Sequence, residues 1–450
     1  MNLNIFRAND IRGVYGKDFD DDFAYETGRA LVKFLKCSKI IIGRDMRTSS
    51  NYLLKALSKG INDSGCDVID IGLIDTPGLY FASGFYKMPG IMITASHNPA
   101  KYNGIKIVDS GAKPIDAKNG LDEIKEIIAQ NDFVSSGRKG KVVKKDIMAK
   151  YRDFLLSFAR ISTSSKFKVV VDAGNGMAGK IVPFIYRKLP VKIIPLYFKL
   201  DGKFPNHIPN PIIKKNLASL IKRIKSEKAD FGIAFDGDMD RVVFADENGK
   251  PVNTSITGAL LIKRFLRDSG KKQGVIYTSA CSKIVPDTIL EFSGKLLREK
   301  VGHAFIKARM RKENALFGIE HSGHYYYKDN YHADSALITS LLIMEEYLTA
   351  RKNGKKFSEM LEEFEKYAQA DEVSVKLKSK GDIIAKIEKY YSAKSPSTID
   401  HFDGLIITFN DYWFNVRKSN TEPLLRVNLE ANKERIMKEK LKEILRVVKA

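Results

Sequence analysis

The sequence predicts an α/β protein: three similar mixed α/β units followed by a smaller C-terminal α+β unit. Three observations carry that expectation. Helix-period and strand-period apolar patterns alternate up to about residue 367, the mark of layered α/β units with parallel strand pairing. Openings of the form strand-then-polar-loop recur near Lys39, Lys168 and Gly274, as repeated units would place them. After about Ala368 short strands dominate. The expected spans are 1–148, 149–252, 253–367 and 368–450, with a hinge near residue 367.

The first unit reads as a helix over Asp21–Lys36, with Phe23, Thr27, Ala30, Leu31 and Phe34 on one face, then a strand Lys39–Ile42 ending in Gly43-Arg44-Asp45. A helix through Leu53, Leu54 and Leu57, a strand Val68–Ile71, a helix Leu79–Tyr86 and a strand Ile91–Thr94 follow, and a second short run restarts at Gly104. The second unit has a helix Ile147–Phe158, a linker-like Ser162–Ser165, the strand Lys168–Asp172, a helix Leu217–Lys225 and the strand Phe231–Phe235. Its proline-rich stretch, Phe204 to Pro211, must be an ordered irregular loop. The third unit has a helix through Phe265, strands Gly274–Tyr277 and Ala315–Ile319, and a long helix Ser335–Arg351. The cap offers strands at Val373–Leu377, Leu405–Phe409, Trp413–Val416 and Leu424–Leu429, a helix Ile383–Tyr391 and a closing lysine-rich helix.

Composition narrows the function. With 450 residues, 44% hydrophobic and 29% charged, each unit can bury a core of its own. No apolar run approaches the roughly 18 residues of a membrane span. Arg7, Asp10 and Arg12 interrupt the N-terminus before a signal-peptide core could form, so it reads as mature sequence. Three scattered cysteines support neither a disulfide frame nor a zinc site, and the cytoplasm is the expected location. The net charge of +22 is spread along the whole chain. Without an aromatic-studded basic segment or zinc-finger spacing it argues against nucleic acid and fits an anionic small substrate.

Ligands of open α/β units bind at the carboxyl ends of strands, so the loops there are the candidate sites. Ser96, followed by His97, is presented at the mouth of a strand. Asp236, Asp238 and Asp240 follow another; in an extended loop they share a side, and three such carboxylates invite a hard divalent cation, Mg²⁺ in particular. The spacing also begins an EF-hand, with Glu247 at its twelfth position, but Arg241 stands where that loop needs glycine and Val242–Ala245 reads as strand. Glu320, Ser322 and His324 offer an acceptor and donors suited to vicinal sugar hydroxyls. His303 and Lys307, four apart on an expected helix, share a face that is either a phosphate contact or a plain polar surface. Arg417, Ser419, Asn420, Thr421 and Arg426 form a donor-rich set suited to a phosphate group.

Taken together the loops resemble the α-D-phosphohexomutase family, most closely its phosphomannomutase/phosphoglucomutase branch. The match runs through nearly the whole chain: FRANDIRG, TASHNPAKYNGIKI, DAGNGMAG, DGKFPNHIPNP, DGDMDR, VGHAFIK, GIEHSGH and RKSNTEP. The resemblance implies four domains around a central cleft, the fourth closing over the substrate. It implies a phosphorylated Ser96, with one Mg²⁺ held by Asp236, Asp238, Asp240 and a phosphate oxygen on Ser96. Lys106 and His97 are implied to handle protons, and Arg12 and Arg241 to steady the transferring phosphoryl group. Glu320 and Ser322 would hold the sugar, and Arg417, Ser419, Asn420 and Thr421 the phosphate that stays.

The implied reaction interconverts hexose 1-phosphate and hexose 6-phosphate through a hexose 1,6-bisphosphate, with sugar phosphates as the only partners and a monomer or weak homo-oligomer as the assembly. Asn9, where an aromatic residue is usual, and Ile319, where the branch more often has glycine, depart from the pattern at substrate-contacting positions. His303 and Asn420 favour mannose and glucose phosphates over glucosamine phosphate. A phosphoglucosamine mutase and a phosphoserine-dependent sugar phosphatase are the alternatives.

Overall fold

The computed structural model describes residues 3–161, 166–269, 272–376, 383–418 and 424–449. Local sequence explains how its first helix, Asp21–Leu35, begins and ends. Asp20 accepts a hydrogen bond from the Phe23 N–H at its N-terminus, Asp21 and Asp22 complement the helix dipole, and Lys36 closes it in the left-handed conformation. Phe23, Ala30 and Leu31 are buried against Leu53, Leu57 and Ile61 of the helix Ser50–Asp63. Each of these phenylalanine, leucine and isoleucine side chains contributes about 1.5–3 kcal/mol of transfer free energy, and truncating Leu57 to alanine would cost about 2–5 kcal/mol.

Four separate sheets organise the described residues. In the first, Lys39–Arg44 pairs in parallel with Asp67–Leu73 on one side and Gly90–Ile93 on the other, and Gly90–Ile93 pairs antiparallel with Tyr102–Asp109. The second repeats this plan with Phe167–Asp172 at the centre, Val191–Leu196 and Phe231–Phe235 beside it, and Val242–Ala245 antiparallel to the latter. So does the third, with Gly274–Thr278 between Lys295–Glu299 and Phe317–Ile319, and Tyr325–Tyr327 antiparallel to the latter. The recurring openings at Lys39, Lys168 and Gly274 are thus the three central strands. The fourth sheet is antiparallel, built on Leu424–Ala431, Tyr412–Lys418 and Leu405–Thr408.

This repetition positions the site. In each α/β unit the connection from the third strand to its antiparallel neighbour carries one candidate loop: Ser96 in the first, Asp236 to Asp240 in the second, Glu320 to His324 in the third. Equivalent places in three units therefore converge. One apolar core runs through all three, joining Phe81 and Tyr151 to Phe231, Phe317 and Leu341, while the cap has its own core around Phe414 and Leu425.

Several elements lie outside the sequence-based expectation, each for a local reason. The edge strand Val191–Leu196 contains Pro195, and the helices Ala178–Tyr186 and Ile284–Glu291 contain Pro183 and Pro286, residues that read as breaks. The expected linker at 162–165 lies outside the described residues. The acidic loop is not extended, contrary to the expectation from alternation. It is a turn, with Met239 at φ 60°, in which the Asp240 and Arg241 N–H groups donate to Asp236 Oδ1 at 3.1 and 3.2 Å. That turn, instead of a two-residue period, brings the carboxylates together.

Candidate active site

Ser96 is buried and adopts φ 49°, a left-handed conformation rare for a residue with a side chain. Its Oγ donates to Asp236 Oδ2 at 2.6 Å and lies 3.2 Å from His97 Nδ1. The loops approach so closely that a Cβ on Gly237 would stand 2.5 Å from the Ser96 carbonyl oxygen, so only glycine fits there. Burial, with Arg241 and Arg12 nearby, pushes the His97 ring well below the ordinary histidine range.

One oxygen each from Asp236, Asp238 and Asp240 lies within 4.8 Å of the other two. Lys106, on the strand Tyr102–Asp109, supplies the cluster with a protein counter-ion, reaching across with Nζ 2.9 Å from Asp238 Oδ2 and 2.6 Å from Asp240 Oδ2. Burial disfavours the Lys106 charge, but Asp238 and Asp240 outweigh it and hold the ammonium well above the ordinary lysine value. Thr76 Oγ1 donates to Asp238 Oδ2 at 2.5 Å. Burial and the neighbouring Asp240 and Asp238 drive the Asp236 carboxyl well above the ordinary range. Glu247 turns away and accepts from the Ser358 hydroxyl at 2.6 Å, which agrees with rejecting an EF-hand.

Arg12 pairs with Asp10 and donates to Asn98 Oδ1 at 2.8 Å, placing its guanidinium beside the serine loop. Arg241 Nε donates to His324 Nε2 at 2.9 Å, so the His324 proton sits on Nδ1, which donates to Asp334 Oδ2 at 2.9 Å. Lys307 is fully buried: its Nζ lies 2.6 Å from Asp334 Oδ1 and 3.8 Å from the centre of the Tyr80 ring. It is therefore neither an open phosphate contact nor a plain polar surface, the two readings the sequence offered. His303 opens the helix His303–Glu313, and burial and then Lys307 lower its pKa well below the ordinary value. Glu320 accepts from the Gly302 N–H at 2.9 Å and the Tyr326 hydroxyl at 2.6 Å, which fixes the start of that helix. Ser322 lies in the same turn, half-buried.

In the cap, Arg417 Nη2 is 3.4 Å from Glu372 Oε2, Asn428 Nδ2 is 3.2 Å from the same oxygen, and Arg426 pairs with the other carboxylate oxygen. Ser419, Asn420 and Thr421 lie outside the described residues. Sequence reasoning missed Arg47, Thr76, Asp334 and Glu372. The Gly43-Arg44-Asp45 loop end was the available signal for Arg47; Thr76 and Asp334 find their partners only through the fold.

An oxygen nucleophile facing a hard-cation ligand set, flanked by guanidinium groups in a site shared by several domains, is the equipment of a phosphoryl-transfer enzyme. The chain belongs to the phosphoglucomutase/phosphomannomutase family: its α/β/α domains I, II and III match residues 3–135, 149–249 and 253–367, and its C-terminal domain matches 351–447. It is 37% identical to a phosphomannomutase of Vibrio cholerae, over 99% of this chain and 98% of the relative. A phosphoglucomutase/phosphomannomutase family protein of Burkholderia thailandensis superposes with a TM-score of 0.89 at 28% identity, covering 100% of this chain and 98% of that one. An Aspergillus fumigatus N-acetylphosphoglucosamine mutase in complex with GlcNAc-6P and magnesium shares the fold at 14% identity, with a TM-score of 0.56 over 83% of this chain and 92% of its own. The protein is a phosphohexomutase, an isomerase that moves a phosphoryl group reversibly between the 1- and 6-positions of a hexose phosphate. Among the described residues no helix is long and apolar enough to cross a membrane.

Proposed function

We propose that Ser96 carries the phosphoryl group of this reaction and that mannose and glucose phosphates are its substrates. The observation that bears most weight is the 2.6 Å contact between Ser96 Oγ and Asp236 Oδ2, which joins loops of two different units. Phosphorylated Ser96 passes its phosphoryl group to the free hydroxyl of hexose 1-phosphate. The serine oxygen recovers a proton, the sugar hydroxyl loses one, and a 1,6-bisphosphate results. After the intermediate turns round in the cleft, its other phosphate returns to Ser96 and hexose 6-phosphate leaves. We assign the proton transfers to Lys106 and His97, charge neutralisation on the moving group to Arg12 and Arg241, and the sugar hydroxyls to Glu320, Ser322 and His324. His303 lines the sugar site from its helix start, and Lys307 acts from behind it through Asp334. Arg417 and Arg426, with Ser419, Asn420 and Thr421, take the phosphate that stays.

Mg²⁺ fits the acidic loop. The ligand set is all oxygen and buried, and Asp238 Oδ1 and Asp240 Oδ1 are buried without a hydrogen-bond partner. Asp236, Asp238 and Asp240, with a phosphate oxygen on Ser96, would hold it, and it would supply Lewis-acid neutralisation of phosphoryl charge. The division at residues 148, 252 and 367 follows the four sheets, with the cap closing over bound substrate and excluding water from the phosphoserine.

A substrate panel tests this reading. Mannose and glucose 1-phosphates should turn over with Mg²⁺ and a trace of hexose 1,6-bisphosphate, and glucosamine 1-phosphate more slowly. Release of inorganic phosphate without isomerised sugar would contradict it.

A further inference from the structure

The left-handed conformation of Ser96 needs something to hold it, and the group that does so stands outside the acidic loop. Arg47 has a fully buried side chain. All five of its guanidinium N–H donors are used. Nε donates to Asp45 Oδ2 at 3.1 Å. Nη1 donates to the Pro99 and Tyr102 carbonyl oxygens, each at 2.9 Å. Nη2 donates to the carbonyl oxygens of Ser96 at 2.8 Å and Asn98 at 2.7 Å. A single planar fork therefore gathers four carbonyls of the serine loop, including that of Ser96 itself.

Two further contacts fix the fork. Asp45 Oδ1 accepts from the Arg47 N–H at 3.0 Å and from Ser50 Oγ at 2.6 Å, so the carboxylate that orients Nε is itself anchored. On the open side, the ring of Phe204 lies 5.0 Å from the guanidinium carbon. Phe204 belongs to the proline-rich loop of the second unit. That same unit supplies Asp236, so Arg47 is held between the serine loop and the domain that carries the acidic loop. A Cβ on Gly202 would stand 2.7 Å from Arg47 Cα, which shows how closely the two units meet there.

We propose that Arg47, covered by Phe204, is a positioning residue for phosphoryl transfer: its four carbonyl contacts hold the Ser96 backbone in the left-handed conformation that aims Oγ at the acidic loop. The inference rests on Ser96 being the phosphoryl carrier. Conformations of this kind persist only where surrounding contacts over-determine them. Lysine cannot reproduce the fork, because a single ammonium with three donors reaches at most some of the four carbonyls. Loss of the fork lets the loop relax, and a displacement of about 1 Å at a reacting oxygen costs on the order of 100-fold in rate. Arg417 and Arg426, assigned above to the substrate phosphate, stand in the cap and not in this loop, so binding is spared.

The test uses full-length enzyme with Mg²⁺ and compares wild type, Arg47→Lys and Phe204→Leu. Phosphorylation of Ser96 by glucose 1,6-bisphosphate is followed by quenched intact-mass measurement with peptide mapping, alongside kcat and KM for hexose 1-phosphate and a thermal melt. Arg47→Lys should phosphorylate Ser96 about 100-fold more slowly, with kcat falling in step and KM within about twofold of wild type. Phe204→Leu keeps every hydrogen bond and should show the same kcat-only pattern, reduced about fivefold; it decides the matter if the lysine variant lacks a cooperative melt. Phosphorylation within threefold of wild type in a folded Arg47→Lys, or a rise in KM at unchanged phosphorylation rate, would overturn the proposal, as would an unchanged rate in Phe204→Leu where that variant decides. A wild-type enzyme that acquires no phosphate on Ser96 would bring down the carrier assignment and this proposal together, an outcome distinct from a fast variant beside a phosphorylated wild type.

Discussion

Lys106 Nζ lies 2.6 Å from Asp240 Oδ2, with both side chains buried. The same ammonium reaches Asp238 at 2.9 Å, so the protein itself supplies the acidic loop with a counter-ion. Removing one partner of a buried pair leaves the other charge uncompensated, at a cost of about 3–5 kcal/mol. Lys106→Met should therefore melt well below wild type in a chelator, while wild type remains folded there. Added Mg²⁺ should raise the melting temperature of the variant more than that of wild type, because the cation then neutralises what lysine no longer does. Equal melting of the two proteins in chelator would contradict the pairing.

Asp334 ties the Lys307 ammonium and the His324 ring to one carboxylate, pairing with Lys307 and accepting from His324 Nδ1. Asparagine there keeps the size but presents an amide, which turns the His324 ring and loosens Arg241 beyond it. Asp334→Asn should lose about 10- to 100-fold in kcat through misplacement of Arg241 and about 3 kcal/mol in stability through the unpaired Lys307. Steady-state kinetics and a denaturant melt check the two separately. A kcat equal to that of wild type would show that the chain from Asp334 to Arg241 does not transmit position.

His207, in the proline-rich loop, has Nε2 3.0 Å from Asp172 Oδ2 and Nδ1 2.9 Å from the Ile208 carbonyl oxygen. Burial disfavours its charge, but the hydrogen bond and charge of Asp172 outweigh that and raise its pKa above the ordinary histidine value. A raised folded-state pKa gives stability that is fully present below the unfolded value, about 6.5, and is lost as pH climbs through the folded value. The stability gap between wild type and His207→Asn should accordingly be about 1–3 kcal/mol at mildly acidic pH and shrink toward alkaline pH. Urea melts across that range measure it; a gap that grows with pH would refute the pairing.

The sequence made the central strands legible because Lys39–Arg44, Phe167–Asp172 and Gly274–Thr278 are apolar runs ending in polar loops. Proline-bearing edge elements such as Val191–Leu196 were hidden, since tertiary pairing there overrides a residue that reads as a break. In the site, the acidic and serine loops announced themselves by composition. Spacing gave the wrong reason for the carboxylate cluster, because a turn with left-handed Met239 gathers the aspartates. Arg47 and Asp334 were hard to read for another reason: the Gly43-Arg44-Asp45 loop end marks the place of Arg47 but not its role, which is set by carbonyls 49 or more residues away, and Asp334 meets His324 only across a hairpin.

The carrier role of Ser96 is tested most directly by intact mass and peptide mapping of the enzyme incubated with hexose 1,6-bisphosphate and then with hexose 1-phosphate. One phosphoryl group should appear, on the peptide containing Ser96, and should leave for the sugar when the monophosphate is added; Ser96→Ala should neither gain it nor turn over substrate. A modification mapped to any other residue, or full turnover by Ser96→Ala, would contradict the account.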